Sequence, residues 1–121
     1  MFPMSGLKVY CYVKCGTCRK ALKWLDEQGI PYEELPVRET PPSLAELKKA
    51  LKTGGNIRKL INTSSKDYRE IGLKDKLDDM SADEVFALLR ENGNLVKRPF
   101  VVSGSAAWAG FNPEIWQERL S

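Results

Sequence analysis

The run from Leu7 to Val37 constrains the fold more than any other part of this chain. Leu7–Val13 (LKVYCYV) is short, apolar and rich in β-branched and aromatic residues, the composition of a buried strand. Gly16 and Thr17 break that pattern. From Cys18 to Gln28 the apolar residues Ala21, Leu22 and Leu25 recur at helical spacing between charges, and Gly29 supplies a C-terminal stop. Pro31–Val37 (PYEELPV) then reads as a second, weaker strand. Strand, helix and strand within about 30 residues make a βαβ unit, and the helical crossover sets its two strands parallel.

The middle of the chain is helical. Pro41-Pro42-Ser43 is a helix start, and Ser43 with Glu46 makes a capping box. Leu44, Leu47 and Leu51 give that helix an apolar stripe, and Gly54-Gly55 ends it. Asn56 is placed to cap a short segment carrying Ile57, Leu60 and Ile61, and Ser64–Ile71 reads as another short helix with Tyr68. Ser81 with Glu84 forms a second capping box, opening a helix with Val85, Leu88 and Leu89 that Asn92-Gly93 closes. Then come a strand at Lys97–Val102 with Pro99 near its start, a turn at Ser103–Ser105, a hairpin partner at Ala106–Phe111, and a last helix from Asn112-Pro113 to Leu120. Pro113 suits the first helical position. The order βαβ, helices, ββα is that of an α/β thioredoxin-like fold, a single domain over residues 1–121 with a helical insertion at about 41–95.

Composition removes whole classes of chemistry. The 121 residues include no histidine. That excludes a Ser-His-Asp triad, a Cys-His pair and any imidazole zinc site. A nucleophile here must be activated by a helix terminus, a cation or another thiol. The net charge of +3 is mild and mixed, so no direct nucleic-acid partner is expected. No apolar run reaches the length of a membrane span. Met1–Gly6 has neither a basic nor an apolar leader region, so the expected location is the cytoplasm.

Three cysteines, Cys11, Cys15 and Cys18, lie within one short stretch. In a reducing compartment such a cluster points to redox, metal or catalytic use rather than to a structural bridge. Cys15-Gly16-Thr17-Cys18 is a C-x-x-C at a strand-to-helix junction. Cys15 stands just before the helix, where unpaired backbone N–H groups and the macrodipole favour a thiolate. Arg19 and Lys20 add positive charge in the first turn. Cys18, inside that turn, suits a resolving thiol. Other readings fit less well. Half a zinc site lacks its second pair. The Cys11-x3-Cys15-x2-Cys18 spacing matches iron–sulfur enzymes of the radical-SAM type, but those are much larger barrels. A phosphatase loop needs arginine six residues after the cysteine, where Ala21 or Thr17 stands. Cys11 itself falls within the strand pattern, as a small apolar filler. No metal or organic cofactor is implied.

The run Cys15-Gly-Thr-Cys-Arg-Lys-Ala21, then Trp24-Leu25, Pro41-Pro-Ser43, Lys59-Leu-Ile-Asn62-Thr-Ser64, Tyr68-Arg69, Lys97-Arg98-Pro99 and Gly110-Phe111 resembles the ArsC/Spx family, in order and over nearly the whole chain. It looks most like the small YffB- and YusI-type members. The resemblance implies a thioredoxin-like domain acting by thiol chemistry. Cys15 would attack and Cys18 resolve. Arg98, with Arg19 nearby, would stabilise negative charge, and Pro99 would form a cis peptide beside the C-x-x-C. Asn62 and Thr63 would line the site.

Three activities occur in that family. Its arsenate reductases hold the oxyanion with three arginines, of which only Arg98 has a counterpart here. Asn62 stands at the second position, and the third falls near Phe111. Each missing arginine removes a charge-assisted contact worth roughly 1.5–3 kcal/mol. Two losses would weaken an oxyanion complex by roughly 10²–10⁴-fold, so efficient arsenate reduction is not expected. Spx-type members are redox-sensing transcriptional regulators that bind RNA polymerase, and usually run on past the last helix with a charged tail. The third reading, a thiol–disulfide reductase fed by glutathione or by a redox protein, fits best.

Overall fold

The computed structural model describes residues 7–12, 14–104 and 106–120. The end of the expected first strand at Val13, the expected turn residue Ser105 and the expectation drawn from Met1–Gly6 lie outside them. Four strands form one sheet, β1 (Lys8–Cys11), β2 (Glu33–Pro36), β3 (Phe100–Ser103) and β4 (Ala106–Ala109), in the order β2-β1-β3-β4. β1 and β2 are parallel, with helix α1 (Gly16–Gln28) between them in sequence, whereas β3 lies antiparallel to both β1 and β4. Between β2 and β3 come α2 (Leu44–Gly54), a 3-10 turn at Ile57–Leu60, α3 (Lys66–Glu70), α4 (Leu73–Lys76) and α5 (Ala82–Glu91); α6 (Pro113–Leu120) follows β4. A βαβ half and a ββα half sharing a mixed sheet is the thioredoxin-like arrangement.

Period-two alternation divides the core between the faces of the sheet. Val9, Cys11, Val101 and Trp108 pack with Cys18, Ala21 and Leu25 of α1 and Trp116 of α6. Tyr10, Phe100, Val102 and Ala107 pack with the helices that precede β3, through residues such as Leu47, Leu73, Phe86 and Leu89. Both capping boxes form, at Ser43/Glu46 and Ser81/Glu84. Glu46 does more than cap. Its carboxylate also accepts hydrogen bonds from Tyr10 Oη at 2.7 Å and Lys8 Nζ at 3.4 Å, tying α2 to β1.

Several boundaries differ from those read in the sequence. β1 ends at Cys11 because the Tyr12 carbonyl turns to accept the Cys15 N–H at 2.9 Å. α1 starts at Gly16, two residues early for its apolar pattern, since Gly16 and Thr17 are exposed and leave no periodic mark. β2 starts at Glu33, beyond Pro31, which has no N–H to donate. β3 starts at Phe100 because the Lys97 N–H is given to Leu60 O instead. Ser65, not Ser64, caps α3. α4 and a 3-10 turn at Leu77–Asp79 were not expected; their only mark is the buried pair Leu73 and Leu77, one turn apart.

Two outcomes follow. A Cβ on Gly93 would sit 2.0 Å from the Val37 backbone oxygen, so Gly93→Ala forces backbone apart. Denaturant melts should show a loss of about 1–3 kcal/mol or more, against almost none for a surface alanine substitution. Glu46, opposed by its burial, is nonetheless held below its usual 4.5 by the Ser43 N–H, the Tyr10 hydroxyl and Lys8. A lowered carboxyl contributes stability above its unfolded pKa and loses it as pH falls through the folded one. Acid titration of stability should therefore be shallower below pH 4.5 in Glu46→Gln than in the parent.

Candidate active site

The β1–α1 junction gathers the cysteines. Cys15 is the N-cap of α1, in extended conformation, and its side chain caps nothing. No acidic residue occupies the first turn. The helix thus presents unpaired N–H groups and the positive end of its dipole beside a half-buried sulfur. Three residues on, the inward face of α1 carries Cys18, which is only 1% exposed. Cys11, at the end of β1, is 3% exposed and packs in the same apolar cluster.

The three thiols share one apolar cluster and act on one another electrostatically, with Cys18 at the centre of the set. Both Cys11 and Cys15 favour the negative form of Cys18. That support, first from Cys11 and then from a backbone hydrogen bond of Tyr12, from Cys15 and from the charge of Arg98, outweighs burial and pulls Cys18 down to about 6. Cys11 moves the other way: holding the proton it gives to Cys18, and buried, it is pushed well above the usual thiol range. The strand pattern alone makes Cys11 a small apolar filler. It is buried as a filler would be, and it is also a neighbour of the resolving position.

Arg98 comes from the segment before β3. The peptide to Pro99 is cis, as expected, and Pro99 is buried. The segment is held on both sides by backbone pairing. Asn62 N–H bonds to Leu95 O at 2.8 Å and Lys97 N–H to Leu60 O at 2.9 Å, while Pro99 O accepts the Gly110 N–H at 2.8 Å. The Arg98 guanidinium lies 5.1 Å from the Tyr12 ring centroid, and that of Arg38 lies 4.9 Å from it. Arg19 lies at the exposed surface of the first turn of α1. Asn62 is different. Its Oδ1 accepts the Ser64 N–H at 3.2 Å and its Nδ2 donates to Asn94 O at 3.4 Å, so its amide is used in shaping the loop before α3.

A cavity of about 390 Å³ opens beside this junction, with Thr17 and Arg98 on its wall. Lys59, Lys97 and Arg119 also line it, and none of the lining residues is acidic. Neither lysine forms an ion pair among the described residues. The far wall is aromatic. Phe111 stands edge-on to Trp116 at 4.9 Å, Trp116 to Trp108 at 6.2 Å, and the Arg119 guanidinium lies 5.2 Å from the Trp108 centroid. Trp108 Nε1 is buried without a hydrogen-bond partner among the described residues. Lys59, Lys97 and Arg119 were missed as site residues. The one available signal was Arg119 three positions after Trp116, on the same side of a helix as that aromatic. Among the described residues no cluster suits a metal ion, and no helix is long and apolar enough to cross a membrane.

Arg98 lowers Cys18 by its charge. Thiolate absorbance followed against pH should therefore show the midpoint near 6 moving up in Arg98→Ala. Arg98→Lys should restore part of the shift, since a point ammonium lacks the planar fork.

Residues 10–119 match the ArsC family. The chain is 46% identical over 115 residues to the uncharacterised protein YusI of Bacillus subtilis, covering 94% of this chain and 98% of that one. It is 32% identical over 107 residues to the global transcriptional regulator Spx of Listeria innocua, covering 88% of this chain and 80% of the regulator. The crystal structure of an ArsC-family-related protein from Bacteroides fragilis superposes with a TM-score of 0.89 at 39% identity, covering 95% of this chain and 98% of that one. With a family match over nearly its full length and the thioredoxin-like fold of such neighbours, the chain belongs to the ArsC family.

Proposed function

We infer that this protein is a thiol–disulfide oxidoreductase in which Cys15 attacks a substrate disulfide and Cys18 resolves the mixed disulfide. One observation carries the reading. A half-exposed sulfur stands at an uncompensated helix N-terminus, three residues before a buried thiol pulled down to about 6. Accessibility assigns the first step to Cys15, because Cys18 is out of reach of an external disulfide. With no histidine to act as base, the proton of Cys15 passes to the neighbouring Cys18. The resulting Cys15 thiolate forms a bond to one substrate sulfur and expels the other as a thiolate. That departing thiolate takes the proton from Cys18, which then attacks Cys15 Sγ and releases the second substrate thiolate. The protein is left with a Cys15–Cys18 disulfide, and the substrate has gained two electrons. A thiol reductant, glutathione or a redox protein, then returns the pair to dithiol.

Arg98, beside Cys18, steadies negative charge through these steps. Arg19 and Pro99 frame the anion site, Arg19 from α1 and Pro99 by fixing the backbone that carries Arg98. The basic, acid-free cavity complements a thiol peptide such as glutathione, which carries more carboxylates than ammonium groups. Asn62 contributes by shaping the adjoining loop. Arsenate is a poor substrate on this reading, because the Asn62 amide is used internally and Phe111 is part of an aromatic wall.

The similarity to Spx, a global transcriptional regulator, supports a second reading, a redox-sensing transcriptional regulator that binds RNA polymerase. Reductase turnover with a small disulfide and glutathione, compared with pull-down of polymerase by oxidised protein, separates the two. We expect turnover that is lost in Cys15→Ser, while Cys18→Ser accumulates a mixed disulfide on Cys15. Polymerase capture without turnover would establish the regulator instead. With arsenate in place of the disulfide, turnover should fall well below that of an arsenate reductase carrying all three arginines; comparable rates would overturn the assignment of the cavity.

A further inference from the structure

Cys11 has no bond-making part in the steps above, yet it is a buried thiol packed in the same cluster as Cys18, the sulfur that closes the bridge. Cys18 lies between two thiols, Cys15 at the mouth of the site and Cys11 behind it. The elements that hold the three are closely tied. Cys15 N–H bonds to Tyr12 O, one residue beyond Cys11, and Cys18 is in the first turn of α1, packed on the face of β1 from which Cys11 projects. Once Cys15 and Cys18 are joined, Cys18 Sγ is a disulfide sulfur with a third thiol beside it.

We propose that Cys11 is a second resolving thiol, which takes over the bridge from Cys15 and stores the oxidised state as a buried Cys11–Cys18 disulfide. The inference rests on the thiol–disulfide reading above. The step is an internal exchange and needs no further oxidant. Cys11 Sγ forms a bond to Cys18 Sγ, the Cys15–Cys18 bond breaks, and its electron pair leaves on Cys15. The proton lost by Cys11 is taken up there or by solvent. Two features set the direction. Charge expelled onto Cys15 arrives at the positive end of α1, and a departing thiolate so stabilised leaves readily. The product bridge joins two sulfurs in residues 3% and 1% exposed, where a reductant has little access. Glu34 and Glu39 line the small cavity that reaches Cys11, so an anionic thiol is also repelled from that side. The exchange returns Cys15 to the free, exposed state while the protein remains oxidised, so that an oxidised molecule can still capture a partner through a mixed disulfide.

Tryptic mapping reads the outcome directly. Cleavage after Lys8, Lys14 and Arg19 leaves Cys11 on one peptide and both Cys15 and Cys18 on the next. The full-length protein is oxidised with one equivalent of a small disulfide, alkylated without reduction, and digested. The expected product is a pair of linked peptides joined through Cys11 and Cys18 with Cys15 alkylated, as the majority of the bridged protein. Cys11→Ser should convert it to the single-peptide Cys15–Cys18 loop, and that loop should be reduced by glutathione faster than the parent bridge. Cys15→Ser, with the native fold verified by circular dichroism, should still form Cys11–Cys18 under diamide. A parent protein bridged only as Cys15–Cys18, with Cys11 alkylated after unfolding alone, overturns the inference and leaves the thiol–disulfide reading standing. Absence of any bridge in the parent and in Cys11→Ser overturns both.

Discussion

The first turn of α1 lacks the groups that usually neutralise a helix start. Its N-cap is a cysteine whose side chain accepts nothing from the backbone, and no carboxylate follows in the turn. A serine or aspartate at that position would stabilise the helix by about 1 kcal/mol and would occupy the N–H groups. Leaving them open keeps positive potential at a place where a sulfur can use it. The remainder of the site follows from this. Arg98 adds charge from the neighbouring segment, and the described acidic side chains of α1, Asp26 and Glu27, lie at its far end.

The segment bearing Arg98 is fixed by backbone more than by side chains. Residues 60–62 pair with 95–97 through an isolated bridge at Ile61 and Val96, and Gly110 closes the other side by bonding to Pro99. Gly110 takes a φ of 88°, the left-handed region that glycine occupies without strain. The same pairing settles how Asn62 and Phe111 are used. Asn62 is at the end of one pairing, with its amide bonded into the loop it initiates, and Phe111 packs against Trp116. The two guanidinium groups on the cavity wall, Arg98 and Arg119, come from separate elements, the segment before β3 and α6. An extended ligand would find several cations spread around an aromatic wall.

The parts of the fold with a strong local code were legible in the sequence. Both capping boxes, the glycine stop at Gly29 and the proline start of α6 depend on residues adjacent in the chain, and all four appear where the residues put them. The topology was legible because few arrangements satisfy a βαβ followed by a ββα. Boundaries set by distant partners were not. β3 starts late because Leu60 takes the Lys97 N–H, a bond between segments nearly forty residues apart. The site divides in the same way. The C-x-x-C and the Arg-Pro pair are contiguous motifs and were readable, whereas Lys59, Lys97 and Arg119 become one basic wall only when the 3-10 turn, the segment before β3 and α6 are brought together.

The missing histidine gives the thiol set its logic. In a Cys-His enzyme the imidazole takes the proton and retains the positive charge beside the sulfur. Here no imidazole is present, and the protonation of Cys18 depends on that of Cys11 beside it. Cys11 supports a negative Cys18 by giving it a hydrogen bond, and in doing so becomes the hardest of the two to deprotonate. The burial that penalises a charge on Cys11 does not penalise a neutral disulfide there. A thiol disfavoured as an anion is therefore well suited to hold the final bridge to buried Cys18, and half-exposed Cys15 to hold the transient one.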